Sequence, residues 1–107
     1  MILSEKLEKK AFEIADYYNP NEQIDILIEE MSELTKALLK NRRARNMHNK
    51  EFIKATEESI IEEAADVEIM IQQLIHFIHY LEDSEQEVLR VMNEKLDRQL
   101  KRIAKEQ

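Results

Sequence analysis

Three observations predict an all-α fold for this chain. Its 107 residues include no glycine and one proline, Pro20, so hairpin turns and repeated helix breaks lack their usual residues. Strong helix formers (Glu, Lys, Leu, Ala, Ile) dominate. Apolar residues recur in steps of three and four, the period of a helix with one buried side. This length suits one small domain spanning 1–107, and four helices are expected in a bundle-like arrangement. With 43% hydrophobic against 36% charged residues the helices should be amphipathic, not disordered.

Ser4 can cap a first helix running to about Tyr18, with Leu7, Ala11, Phe12, Ile14 and Ala15 as its apolar side. Asn19-Pro20 ends it, because the residue before proline avoids helical angles. The same pair starts the second helix: Asn19 serves as N-cap, Pro20 as first residue, and Glu22 sits as in a capping box. This helix should reach about Lys40, its core stripe formed by Ile24, Leu27, Ile28, Met31, Leu34 and Leu38. Glu30 and Glu33 fall to one side of that stripe, between Ile26 and Ala37.

Asn41 to Asn49, with Arg42, Arg43 and Arg45, reads as a loop. It is either a solvated connector or a positive flap over an anionic ligand. A third helix begins at Lys50 or, after a break, near Ser59, and reaches about Leu81. Ile60, Ala64, Val67, Ile71, Leu74, Ile78 and Leu81 make a coiled-coil-like seam. Glu63 and Asp66 flank it on the side of Met70, Gln73 and Phe77, and Ala64 with Ala65 permits close approach of another helix. From Ile69 onward this helix is apolar nearly all round, which calls for cover on several sides. A homodimer or homotetramer with this helix central is therefore expected. Ser84 and Glu87 read as the capping box of a fourth helix ending near Ala104. Leu89, Met92, Leu96, Leu100 and Ile103 should face inward, and Lys95, Arg98, Lys101 and Arg102 form a basic patch.

Charge and composition narrow the function. A net charge of −7 disfavours a nucleic-acid partner, since phosphate backbones want a basic stripe. The longest apolar stretch, Ile69 to Leu81, is broken by Gln72, Gln73, His76 and His79, so no membrane span is expected. No cysteine is present and Met1 to Lys6 holds no long apolar core. A cytoplasmic setting without a signal peptide is the expectation.

Two acidic clusters stand out, Glu29-Glu30-Met31-Ser32-Glu33 and Glu62-Glu63-Ala64-Ala65-Asp66. Glu30 with Glu33, and Glu63 with Asp66, are three apart and so share a helix face. Two such helices packed together offer four carboxylates to a hard cation such as Mg²⁺ or Mn²⁺, ions that favour oxygen ligands and often sit beside phosphates. With 23 acids in the chain, number alone gives these matches no weight, and a solvated acidic face is the plain alternative. Their position beside core stripes, and the basic helix that follows, favour a site.

The stretch Leu27 to Leu38, with its acids at Glu29, Glu30 and Glu33, followed by Ile61-Glu62-Glu63-Ala64-Ala65-Asp66-Val67, resembles the all-α nucleoside triphosphate pyrophosphohydrolases, the MazG-like superfamily. The likeness covers about Ile24 to Arg98 and rests on the paired motif EExxE…EExxD. It implies Mg²⁺-dependent cleavage of a nucleoside triphosphate to monophosphate and pyrophosphate, in nucleotide-pool house-cleaning or in a dedicated pathway. It further implies Glu30, Glu33, Glu63 and Asp66 as metal ligands and Glu29 and Glu62 as supporting acids that reach a further metal or orient the attacking water. Asn93, Lys95 and Arg98 are the nearest match to the family's phosphate-contacting group. Phe12, Tyr17, Tyr18, Phe52 and Phe77 are each able to stack on a base.

Two rival classes remain. A carboxylate-bridged di-iron bundle needs Glu-x-x-His pairs, and Arg45, Gln73 and His76 precede His48, His76 and His79 at that spacing, so it is set aside. A non-enzymatic helical dimeric interaction module shares the stripes and the charge but has no need of four inward carboxylates.

Overall fold

The structure, a computed structural model, describes residues 4–78 and 83–107. Four helices account for nearly all of them: α1 (Glu5–Tyr17), α2 (Pro20–Asn46), α3 (Lys50–Phe77) and α4 (Ser84–Glu106). The all-α, four-helix expectation holds. Among the described residues no helix is long and apolar enough to cross a membrane.

The first boundary forms where the sequence indicates, although among the described residues Glu22 makes no hydrogen bond that closes the expected capping box with Asn19. The Ser4 side chain accepts from the Leu7 N–H, and Asn19 accepts from the Asn21 N–H with Pro20 in the first turn of α2. The second boundary differs. α2 runs six residues past Lys40, to Asn46, so Arg42, Arg43 and Arg45 belong to a helix and not to a flap. Neither glycine nor proline interrupts that stretch, and Ala44 packs fully buried on it. The actual turn is Met47-His48-Asn49. His48 takes a left-handed conformation (φ 54°), and Asn49 accepts from Phe52 to cap α3. α3 is unbroken from Lys50, and its expected final turn, including His79 and Leu81, lies outside the described residues.

α2 and α3 form an antiparallel pair that carries most of the packing. Its inner positions recur at heptad spacing: Gln23, Leu27, Glu30, Leu34, Ala37, Asn41 and Ala44 on α2, and Thr56, Ile60, Glu63, Val67, Met70 and Leu74 on α3. The buried Asn41 amide donates to the Thr56 hydroxyl at 3.0 Å and fixes the register. This inner face is turned from the expected stripe. Leu27 and Leu34 belong to it, but Ile24, Ile28, Met31 and Leu38 are exposed. The more apolar edge of α2 therefore faces outward, while a seam containing glutamine, glutamate and asparagine meets α3. On α3, Ile60, Val67 and Leu74 hold their expected place, whereas Ile71 turns toward α4.

α1 packs on a second side of α3. Small Ala11 and Ala15 face inward, and the Gln73 amide donates to the Ala11 carbonyl at 3.2 Å. Phe12 stacks on His76, whose Nε2 lies 2.7 Å from an Asp16 carboxylate oxygen. α4 lies on a third side, against Ile71, Gln72 and Ile75. Its expected capping box does not form. Asp83 is the N-cap, without a side-chain bond, and the Ser84 hydroxyl donates instead to the Ile75 carbonyl at 3.0 Å. Glu87, the other member of that box, pairs with Arg90. α3 is thus flanked from three directions, yet Ile61, Ile69 and Ile71 on it remain exposed.

The inward stripe expected on α4 is not buried. None of its residues is buried, and Leu96 and Leu100 are 55% and 64% exposed. The radius of gyration is 17.2 Å, where a compact domain of this length would have about 13 Å. The chain by itself is open along one side.

Candidate metal centre

The heptad register places two carboxylates inside the α2–α3 seam. Glu30 occupies an inner position of α2 and Glu63 an inner position of α3, both half-buried, with Asp66 one turn along at the rim. One carboxylate oxygen from each lies within 4.8 Å of the others. The i, i+3 relation on α3 brings Glu63 and Asp66 to one side, and the antiparallel crossing adds Glu30 from the facing helix.

Of the residues singled out in the sequence, these three come together. Glu33 is outside the set: it lies one turn along α2, and the Lys36 ammonium binds its carboxylate at 3.3 Å. Glu29 and Glu62 are exposed beside the cluster in sequence and form no part of it. Asn93, Lys95 and Arg98 stand on the exposed half of α4, where Arg98 shares a shallow surface depression with Glu94, Asp97 and Lys101. α4 packs on the α3 face of Ile71, Gln72 and Ile75, which at 100° per residue is turned about 120–180° from Asp66. In a single chain the basic patch and the acids lie on different sides of α3.

Electrostatics mark Glu30 as the strained member. Its carboxyl is held above the ordinary range, chiefly by burial, then by the negative charges of Asp66 and Glu63, a hydrogen bond with Asp66, and least by Glu29. Three convergent carboxylates repel one another unless a proton or a cation sits among them. The donor set fits a hard divalent ion: all-oxygen, anionic and open on one side, so that water or phosphate oxygens complete the octahedron that Mg²⁺ demands. Zinc or iron sites of the usual kind want nitrogen or sulfur donors, which this cluster lacks.

Two buried polar residues were not singled out as site candidates in the sequence. Gln23 and Gln73 are 4% and 1% exposed, and each keeps a side-chain oxygen without a hydrogen-bond partner among the described residues. Gln23 is seven residues from Glu30, and Gln73 seven from Asp66. That heptad offset was the available signal: it put both glutamines on the faces that carry the acids. The aromatic candidates are scattered. Tyr17 and Tyr18 pack on each other at the surface, Phe12 is taken up by His76, and Phe52 and Phe77 are half-buried on α3.

No protein-family model, curated protein or solved structure matches this chain.

Proposed function

We propose that this protein is a metal-dependent nucleoside triphosphate pyrophosphohydrolase that cleaves a ribo- or deoxyribonucleoside triphosphate to monophosphate and pyrophosphate. The observation that carries this is the convergence of Glu30, Glu63 and Asp66 oxygens within 4.8 Å across two helices. The resemblance of the two acidic motifs to MazG-like enzymes supports the same conclusion.

Glu30, Glu63 and Asp66 would hold Mg²⁺ or Mn²⁺, and Glu33 would join them on releasing Lys36. When bound, such an ion neutralises phosphate charge and favours in-line attack by water. Glu29 and Glu62, which are exposed, would act as supporting acids that reach a further metal or orient the attacking water. Phosphate oxygens beyond the metal need cationic partners. Asn93, Lys95 and Arg98 do not lie on the acid side in one chain, so their part depends on assembly.

A homodimer fits the exposed apolar edges. Ile24, Ile28, Met31 and Leu38 on α2, and Met92, Leu96, Leu100 and Ile103 on α4, are the surface it would bury. Ile61, Ile69 and Ile71 on α3, the helix expected at the centre of the interface, are exposed as well and would add to that surface. The same edges favour a second reading, a helical dimeric interaction module without catalysis, which needs the apolar edges but not the acids.

Glu63→Gln separates the two. It keeps shape and helix propensity while removing a ligand charge. Loss of Mg²⁺-dependent turnover, with unchanged circular dichroism and mass, is the result expected of the enzyme. Retained turnover would remove the proposed centre.

A further inference from the structure

The two glutamines lie in the same direction along the helix pair from the acids. α2 and α3 are antiparallel, and Asn41 faces Thr56, so Gln23 stands level with Gln73 and Leu74. Going from Glu30 to Gln23 on α2 and from Asp66 to Gln73 on α3 is the same direction in space. Both steps are seven residues, about 10 Å of helix. Gln73 is fixed in orientation because its amide nitrogen donates to the Ala11 carbonyl of α1, which leaves the oxygen as the free end. Gln72, the third residue with such an oxygen, lies toward α4 instead and lines the apolar groove with Ile71, Ile75 and Met92.

Buried amide oxygens without donors are costly in a packed helix pair, and a ligand that brings N–H groups repays that cost. A nucleotide whose phosphates sit at the carboxylates extends its sugar and base over about two helical turns. We propose that Gln23 and Gln73 form a base-reading seat, which selects nucleobases carrying an exocyclic amine. Cytosine, adenine and guanine offer an N–H₂ group to two acceptor oxygens. Uracil and thymine offer one N–H flanked by two carbonyl oxygens, which two further acceptors repel. Gln73 lies beneath α1 through its bond to Ala11, so a base would reach the pair on displacement of that helix, which packs through the small Ala11 and Ala15. The seat rests on the pyrophosphohydrolase proposal for its substrate, but it can be tested without turnover.

The experiment has two arms on the full chain. In the first, kcat/KM is compared for CTP, ATP, GTP, UTP and TTP with wild type and with Gln23→Leu. In the second, CMP and UMP binding in Mg²⁺ is followed by calorimetry on the same proteins. Wild type should favour the amine-bearing bases about tenfold or more over UTP and TTP, the factor that one mispaired buried polar group is worth. Gln23→Leu should bring the ratio close to one, and CMP should lose its advantage over UMP in parallel. A ratio measured within one preparation is insensitive to the fraction folded. Equal or better use of UTP and TTP by wild type would overturn the seat while leaving the hydrolase intact, and so would a preference that Gln23→Leu leaves unchanged. If no triphosphate is cleaved, tighter binding of CMP that Gln23→Leu abolishes would uphold the seat alone. Absence of both turnover and base-dependent binding would overturn it with the hydrolase.

Discussion

Replacing Glu30 by glutamine should make the metal-free protein more stable, which is the reverse of what removing a half-buried, hydrogen-bonded residue does. Glu30 faces two other carboxylates within 4.8 Å. At that separation each like-charge pair costs about 1 kcal/mol where water screens fully and about 3.5 kcal/mol at an effective dielectric near 20. Asp66 is exposed and the others half-buried, so the lower end applies. Removing both pairs that involve Glu30 is therefore worth about 1–2 kcal/mol. For a chain of this size that is roughly 5–10 °C in Tm. The pH dependence follows the same sign. Glu30 titrates above its unfolded range, so the folded state binds more protons across that window. Stability without metal is therefore lost as pH rises from the ordinary carboxylate range through the raised value. Glu30→Gln abolishes that loss. Added Mg²⁺ should stabilise wild type at pH 7 and leave Glu30→Gln unmoved. Thermal unfolding with EDTA and with Mg²⁺, at pH 5 and pH 7, reads all of this. A lower Tm for the variant in EDTA, or an undiminished Mg²⁺ shift, would refute the view that three repelling carboxylates form a cation site.

Other outcomes test other parts of the account. Ile28→Asp on α2, or Leu100→Asp on α4, should convert a dimer to monomer by light scattering while keeping helicity, and an unchanged mass would remove those edges as the interface. His48→Gly should stabilise the fold by about 0.5–1 kcal/mol in urea titrations, because glycine adopts positive φ without the steric cost that histidine carries. A destabilised variant would mean that the imidazole contributes more than the turn costs. Arg98→Ala should raise KM for a triphosphate in the dimer and leave Mg²⁺ binding intact. If it changes neither, α4 has no part in holding phosphate.

Local chemistry made much of the fold legible. Ser4, Asn19 and Pro20 mark the first two helix starts, and their side chains behave as expected. Glycine usually announces a helix end, and where it is missing the second boundary is hidden: a polar, arginine-rich run looks like a loop but continues the helix to Asn46. The face of α2 was misjudged for a related reason. Hydrophobicity ranks Ile24, Ile28 and Met31 as core, yet the chain buries Gln23, Ala37 and Asn41 against α3 and leaves the isoleucines outside. Periodicity locates a stripe but does not tell an intramolecular seam from an edge kept for another molecule. The acids suffered less, because their spacing is independent of which apolar edge is covered. Glu30, Glu63 and Asp66 converge, while Glu33 stays outside the set and pairs with Lys36, the i, i+3 partner that its own helix offers. On α4 the sequence shows an amphipathic, basic helix but not its partner, and neither its charge nor likeness to a family tells on which side of α3 it packs.

The central claim is that the carboxylate cluster serves phosphoanhydride cleavage. Pyrophosphate release from a panel of ribo- and deoxyribonucleoside triphosphates, with Mg²⁺, Mn²⁺ or EDTA, tests it most directly. The account predicts metal-dependent release of pyrophosphate with an equal amount of nucleoside monophosphate, abolished by EDTA. No release from any triphosphate with either metal would contradict it and leave the acids as a solvated face of a helical interaction module.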